Sequence, residues 1–125
     1  MSFVAVVAAL ALIEYMAIVL QTGRARQTYG VKAPSTTGDP IFERHYRVQQ
    51  NTVEQLVVFF PALFLFARYV STSVAGVLGL IFVVGRILYA RGYVADPEKR
   101  GPGFGLSFGA NAILTLGALI GALFG

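Results

Sequence analysis

Four long apolar runs alternate with three polar connections along the chain, at roughly 3–20, 53–70, 74–90 and 104–124. Each run is about 17–21 residues, and a helix rising about 1.5 Å per residue needs about 20 to cross a hydrocarbon core about 30 Å thick. None shows the strict alternation of a barrel strand. Lipid admits only helices or closed barrels, because backbone groups there must pair internally. The pattern therefore predicts an all-α integral membrane four-helix bundle, one domain over 1–125, with helices at about 3–22, 42–70, 74–93 and 104–124.

The polar connections set the helix ends. The run Pro34-Ser35-Thr36-Thr37-Gly38-Asp39-Pro40 is dense in turn formers and predicts an irregular loop between the first two helices. Nothing between Phe42 and Phe60 breaks a helix, so the second helix starts in water and runs into the membrane; Pro61 is expected to kink it. Residues 71–73 form a tight turn, and 96–103 form the third connection. The first apolar run lacks a basic leader and is interrupted by Glu14, which favours a retained span over a signal peptide.

Composition supports this reading. The 125 residues are 56% hydrophobic and 13% charged, against about 25% charged in ordinary soluble domains. The absence of cysteine excludes disulfides, thiolate metal sites and a cysteine nucleophile, so thiol chemistry must use a substrate's sulfur. With His45 the only histidine, no metal site is expected, and His45 itself is read as a solvated surface residue. Of the ten Lys and Arg residues, only Arg68 falls near the face that holds the termini. The positive-inside rule makes the opposite face cytosolic, and the short loops and the end of the sequence just after the last span point to a bacterial inner membrane, with an internal eukaryotic membrane as the alternative. Charge that flanks spans is not a soluble basic surface, so nucleic-acid binding is a poor reading. In the fourth helix, Gly105-x-x-x-Gly109 and Gly117-x-x-x-Gly121-x-x-x-Gly125 permit close helix contact, either within one chain or between copies.

Candidate chemistry concentrates in 43–55. On a helix Arg47, Asn51 and Glu54 share one face, which continues into an apolar span. An ionisable group at membrane depth costs about 2.5–3.5 kcal/mol, so these residues need partners or a ligand. The third helix answers with Arg86, Tyr89 and Tyr93 on one face. Such a set suits a small zwitterion with more than one carboxylate: arginine forks take carboxylates and a glutamate takes an ammonium. The plainer reading is interhelical salt bridges, Glu54 to Arg86 for example. Glu14, in the middle of the first helix, is expected to be a buried partner of an arginine such as Arg86.

The motifs Arg26, Thr36-Thr37-Gly38, Phe42-Glu43-Arg44-x-Tyr46-Arg47-x-Gln49-x-Asn51-x-x-Glu54 and Arg86-x-x-Tyr89-x-x-Gly92-Tyr93, followed by Arg100, resemble the membrane-associated proteins in eicosanoid and glutathione metabolism. The likeness is to the branch of microsomal glutathione transferases and leukotriene C4 synthase. It implies a homotrimer with glutathione, the co-substrate, at each subunit interface. Arg47, Asn51, Glu54, Tyr89 and Tyr93 would hold glutathione from one subunit, Arg26 and Gln49 would reach it from the neighbour, and Arg100 would face the sulfur. The pattern departs at Gln55, where relatives often carry tyrosine, and at Gln27, where the leukotriene synthase carries an arginine; a general transferase is favoured over a dedicated synthase.

The implied activity is attack of the glutathione thiolate on a lipophilic electrophile, or reduction of a lipid hydroperoxide, either one entering from the bilayer lipid. Two rivals remain at this level. One is a non-catalytic lipid-binding scaffold of the same family. The other is a small multidrug transporter using Glu14, which would lack the two polar helix faces.

Overall fold

The computed structural model describes residues 1–125. Four α-helices account for most of them: α1 (Ser2–Thr28), α2 (Pro40–Tyr69), α3 (Thr72–Ala95) and α4 (Gly101–Phe124). All four are long and apolar enough to cross a membrane. Their surfaces carry the large apolar side chains, among them Val57, Leu116 and Leu123, as lipid-facing helices require.

Caps rather than polarity decide where the helices stop. The first helix runs six residues past the expected end at 22. Gly23 does not break it, and Arg24, Ala25 and Arg26 are good helix formers. It ends where Gly30 takes φ 69° and the Val31 amide donates back to the Arg26 carbonyl at 3.0 Å, the six-to-one bond of a Schellman closure. The second helix begins at Pro40, whose missing N–H is no loss in a first turn. Asp39 caps it, its Oδ1 accepting from the amides of Ile41 and Phe42 at 2.9 Å each. Pro61 lies inside what remains one continuous helix. After α3, a 3-10 turn over Pro97–Arg100 leads straight into α4 at Gly101. The fourth helix thus starts three residues ahead of the apolar run, with Pro102 tolerated in its first turn.

Helices α2 and α3 each pack against both α1 and α4, so they form the centre of the bundle. The membrane-depth core is built on Phe59 and Phe82, whose rings stack with centroids 4.0 Å apart, surrounded by Val4, Val7, Leu63 and Leu114. The closest helix approach is between α3 and α4: a Cβ at Gly103 would collide with the Tyr89 backbone, and one at Gly85 would meet the Ser107 amide at 2.8 Å. In lipid such close packing, not expulsion of water, holds helices together. The glycine series of α4 divides between two environments. Gly117 and Gly121 face Phe66 and Tyr69 of α2 and Val70 just after it, whereas Gly105 and Gly109 have nothing within 4 Å.

Candidate functional site

The candidate chemistry gathers at the end of the bundle formed by the C-terminus of α1, the N-terminus of α2, the C-terminus of α3 and the turn before α4. Arg44 ties α2 to α3 there, its Nη1 donating to the carbonyls of Val94 at 3.0 Å and Ala95 at 3.3 Å.

Arg86 is the organising residue of the site. It is wholly buried and is held by neutral groups. Its Nη2 donates to Asn51 Oδ1 and Thr52 Oγ1, both at 2.8 Å. Its Nη1 donates to Ser107 Oγ at 3.3 Å, and that hydroxyl in turn donates to the Gly103 carbonyl at 3.0 Å. The guanidinium carbon lies 4.2 Å from the centroid of the Tyr89 ring, a cation–π contact. Neither carboxylate expected to pair with Arg86 does so. Glu54 is exposed, and the salt bridge to Arg86 is replaced by the bonds to Asn51 and Thr52. Glu14 makes no hydrogen bond to Arg86, and its Oε2 is buried without a partner. Sequence faces alone could not rank these partners, because the choice depends on which helices touch at that depth.

The arrangement fixes Asn51. Arginine has no acceptor, so the amide must turn its oxygen to Arg86 and its Nδ2 away. Asn51 thus presents a donor beside Arg47 and Glu54. Across from them, the Tyr89 and Tyr93 rings lie 5.7 Å apart. Arg100 sits at the start of α4, with its Nη1 donating to the Pro97 carbonyl at 2.7 Å. Asn51 and Tyr89 thus meet at Arg86, Tyr93 stands beside Tyr89, and Arg47 and Glu54 share the Asn51 face of α2, while Arg100 lies in the turn before α4.

Arg26 and Gln49 lie elsewhere. At about 100° per residue, Gln49 is about 200° around α2 from Arg47. Arg26 stacks on Phe42, with its guanidinium carbon 4.6 Å from the ring centroid, and donates to the Ser35 carbonyl at 2.6 Å. Phe42 falls on the Gln49 side of α2. The chain thus carries two polar groupings, on opposite faces of one helix.

A profile described as "MAPEG family" matches residues 3–120. The chain belongs to the MAPEG family. It is 49% identical over 119 residues to an uncharacterized protein of Synechocystis, covering 95% of this chain and 87% of that protein. It is 45% identical over 104 residues to microsomal glutathione S-transferase 2 of Homo sapiens, covering 83% and 69%. With leukotriene C4 synthase of Cavia porcellus it shares 37% identity over 81 residues, covering 65% and 54%. Within this MAPEG chain, sequence reasoning missed Thr52 and Ser107 as anchors of Arg86, and the pair Asn111–Gln55, where Asn111 Nδ2 donates to Gln55 Oε1 at 3.1 Å. A signal was available. Ser107 and Asn111 stand four apart on an otherwise apolar helix, the spacing of one buried face. His45 is partly buried; its carbonyl accepts from Thr22 Oγ1 at 3.3 Å.

Proposed function

We propose that the chain is a membrane glutathione transferase, active as a homotrimer with its basic face toward the cytosol of a bacterial cell. Membership of the MAPEG family, with relatives named as microsomal glutathione S-transferase and leukotriene C4 synthase, supports glutathione-dependent transfer in general. The observation that supports the finer reading is that the two terminal nitrogens of Arg86 bond only to neutral groups, its Nε being left without a partner. Arg47, the Asn51 Nδ2 and Glu54 then remain for a ligand, together with the nitrogens of Arg100 other than the Nη1 held by the Pro97 carbonyl. Glutathione has two carboxylates and an ammonium. Arg47 takes a carboxylate, Glu54 the ammonium, and Asn51 donates to the peptide backbone. The two tyrosines close the other side. Arg26 and Gln49, on the opposite face of α2, complete the site of a neighbouring copy.

A free thiol has a pKa near 8.5, so little thiolate exists at pH 7; lowering it by about two units takes about 2.7 kcal/mol. Arg100 supplies this by placing a cation at the sulfur. The thiolate then forms a carbon–sulfur bond with an apolar electrophile from the bilayer, and the leaving group or opened epoxide oxygen takes the charge. With a lipid hydroperoxide, attack on the distal oxygen breaks the O–O bond; a second glutathione completes the reduction to alcohol, water and glutathione disulfide. Arg100→Ala is expected to lose most of the ultraviolet absorbance of thiolate on glutathione binding and to lower turnover at pH 7 by about tenfold or more. Wild-type absorbance and turnover in that variant would remove Arg100 from the chemistry.

A further inference from the structure

Asn111 is almost wholly buried on an apolar helix, and only half of its amide is used. Its Nδ2 donates to the backbone carbonyl of Gln55 at 3.2 Å and to Gln55 Oε1 at 3.1 Å, while its Oδ1 is buried without a partner. A backbone carbonyl can only accept, so the end of Asn111 that faces it must be the NH2 group. The end of Gln55 that meets this NH2 must then be its oxygen. Neither amide can be turned over without setting acceptor against acceptor or donor against donor.

The lock leaves Gln55 Nε2 as the free end. Gln55 is partly buried, and its Nε2 makes no hydrogen bond within the chain, yet it is not enclosed as Asn111 Oδ1 is. It is therefore open to an incoming group. At about 100° per residue, Gln55 lies about 40° from Asn51 on one side of α2, and Glu54 lies about 60° from it on the other. The two neighbours flank the Asn51 line one turn farther into the membrane, one offering an acceptor and the other a donor. Hydrocarbon has no acceptor for Nε2. Stability does not explain the pair either, because the unpaired Asn111 oxygen costs at least as much as its two bonds return.

A carboxylate and an amide donor one residue apart match an amino-acid head, whose ammonium and carboxylate share one carbon. In glutathione only the γ-glutamyl end has both groups. Arg47, about 10 Å back along α2 from Glu54, is then left for the glycyl carboxylate at the other end. We propose, resting on the glutathione reading, that Gln55 Nε2 binds the γ-glutamyl carboxylate, and that Asn111 is the positioning residue that holds the Gln55 amide in this orientation.

The tripeptide 4-aminobutyryl-cysteinyl-glycine is glutathione without that one carboxylate, and it keeps the amine for Glu54. Calorimetry on the full chain in detergent compares the two ligands. The wild-type chain is expected to bind glutathione about tenfold more tightly, the worth of one good hydrogen bond to a charged group. Gln55→Leu and Asn111→Leu should each weaken glutathione about tenfold and leave the analogue unchanged, so that continued binding of the analogue reports an intact fold. The double variant should be no worse than Gln55→Leu alone. A preference for glutathione that survives Gln55→Leu overturns the contact. Survival of that preference in Asn111→Leu, or equal loss of both ligands there, overturns the positioning role. Wild-type binding of both ligands without preference ends this inference alone, whereas binding of neither ends the glutathione reading with it.

Discussion

Arg86→Met separates the role of Arg86 in folding from its role in binding. Methionine keeps much of the length and apolar stem but removes three hydrogen bonds, to Asn51, Thr52 and Ser107. In membrane proteins such bonds average about 0.6 kcal/mol, so the loss is about 2 kcal/mol. Ser107 keeps its bond to the Gly103 carbonyl, and a buried guanidinium with a desolvation penalty of several kcal/mol disappears at the same time. The terms oppose each other, and melting in detergent should shift only slightly. Glutathione binding should respond more. Without Arg86, the Asn51 amide is free to turn, and its oriented donor is lost. One hydrogen bond of about 1.4 kcal/mol corresponds to a tenfold rise in Kd. Calorimetry on Arg86→Met, Asn51→Ala and the double variant tests the route. Each single change should weaken glutathione about tenfold, and the double variant should be no worse than Asn51→Ala alone. Losses that multiply to about a hundredfold would refute the reasoning, since Arg86 would then touch the ligand itself.

Glu54→Gln should weaken glutathione about tenfold while leaving N-acetylglutathione unaffected, because the acetylated amine carries no charge for Glu54 to meet; equal losses for both ligands, measured by calorimetry, would place the ammonium elsewhere. Gly103→Ala should force α3 and α4 apart, since its Cβ meets the Tyr89 backbone, and cost about 1–3 kcal/mol. Gly109→Ala, with nothing within 4 Å, should not lower the melting of the separated chain and should raise it slightly, by the roughly 0.5–1 kcal/mol that alanine gains over glycine in a helix. Thermal unfolding in detergent compares the two.

The spans were legible because apolar length is a one-dimensional signal. Their ends were less so. Gly30 and Asp39 act through φ and hydrogen bonds that extend or trim a helix past its apolar run, and Pro102 reads as a breaker although a first turn accepts it. The two polar faces were legible from spacing on α2 and α3. The partner of Arg86 was not. Glu14, Glu54 and Asn51 are all plausible on paper, and the choice of Asn51 depends on helix depth and rotation that no single helix encodes. The split between Gly105–Gly109 and Gly117–Gly121 has the same origin, since identical spacings face different neighbours.

The opposed placement of Gln49 and Asn51 on α2 has a genetic consequence. If every site is closed by two chains, a lesion at Arg26 and a lesion at Asn51 harm different partners of the same junction. Mixing the two defective chains would then yield some junctions carrying both lesions and others carrying none, so two dead alleles would restore partial activity together.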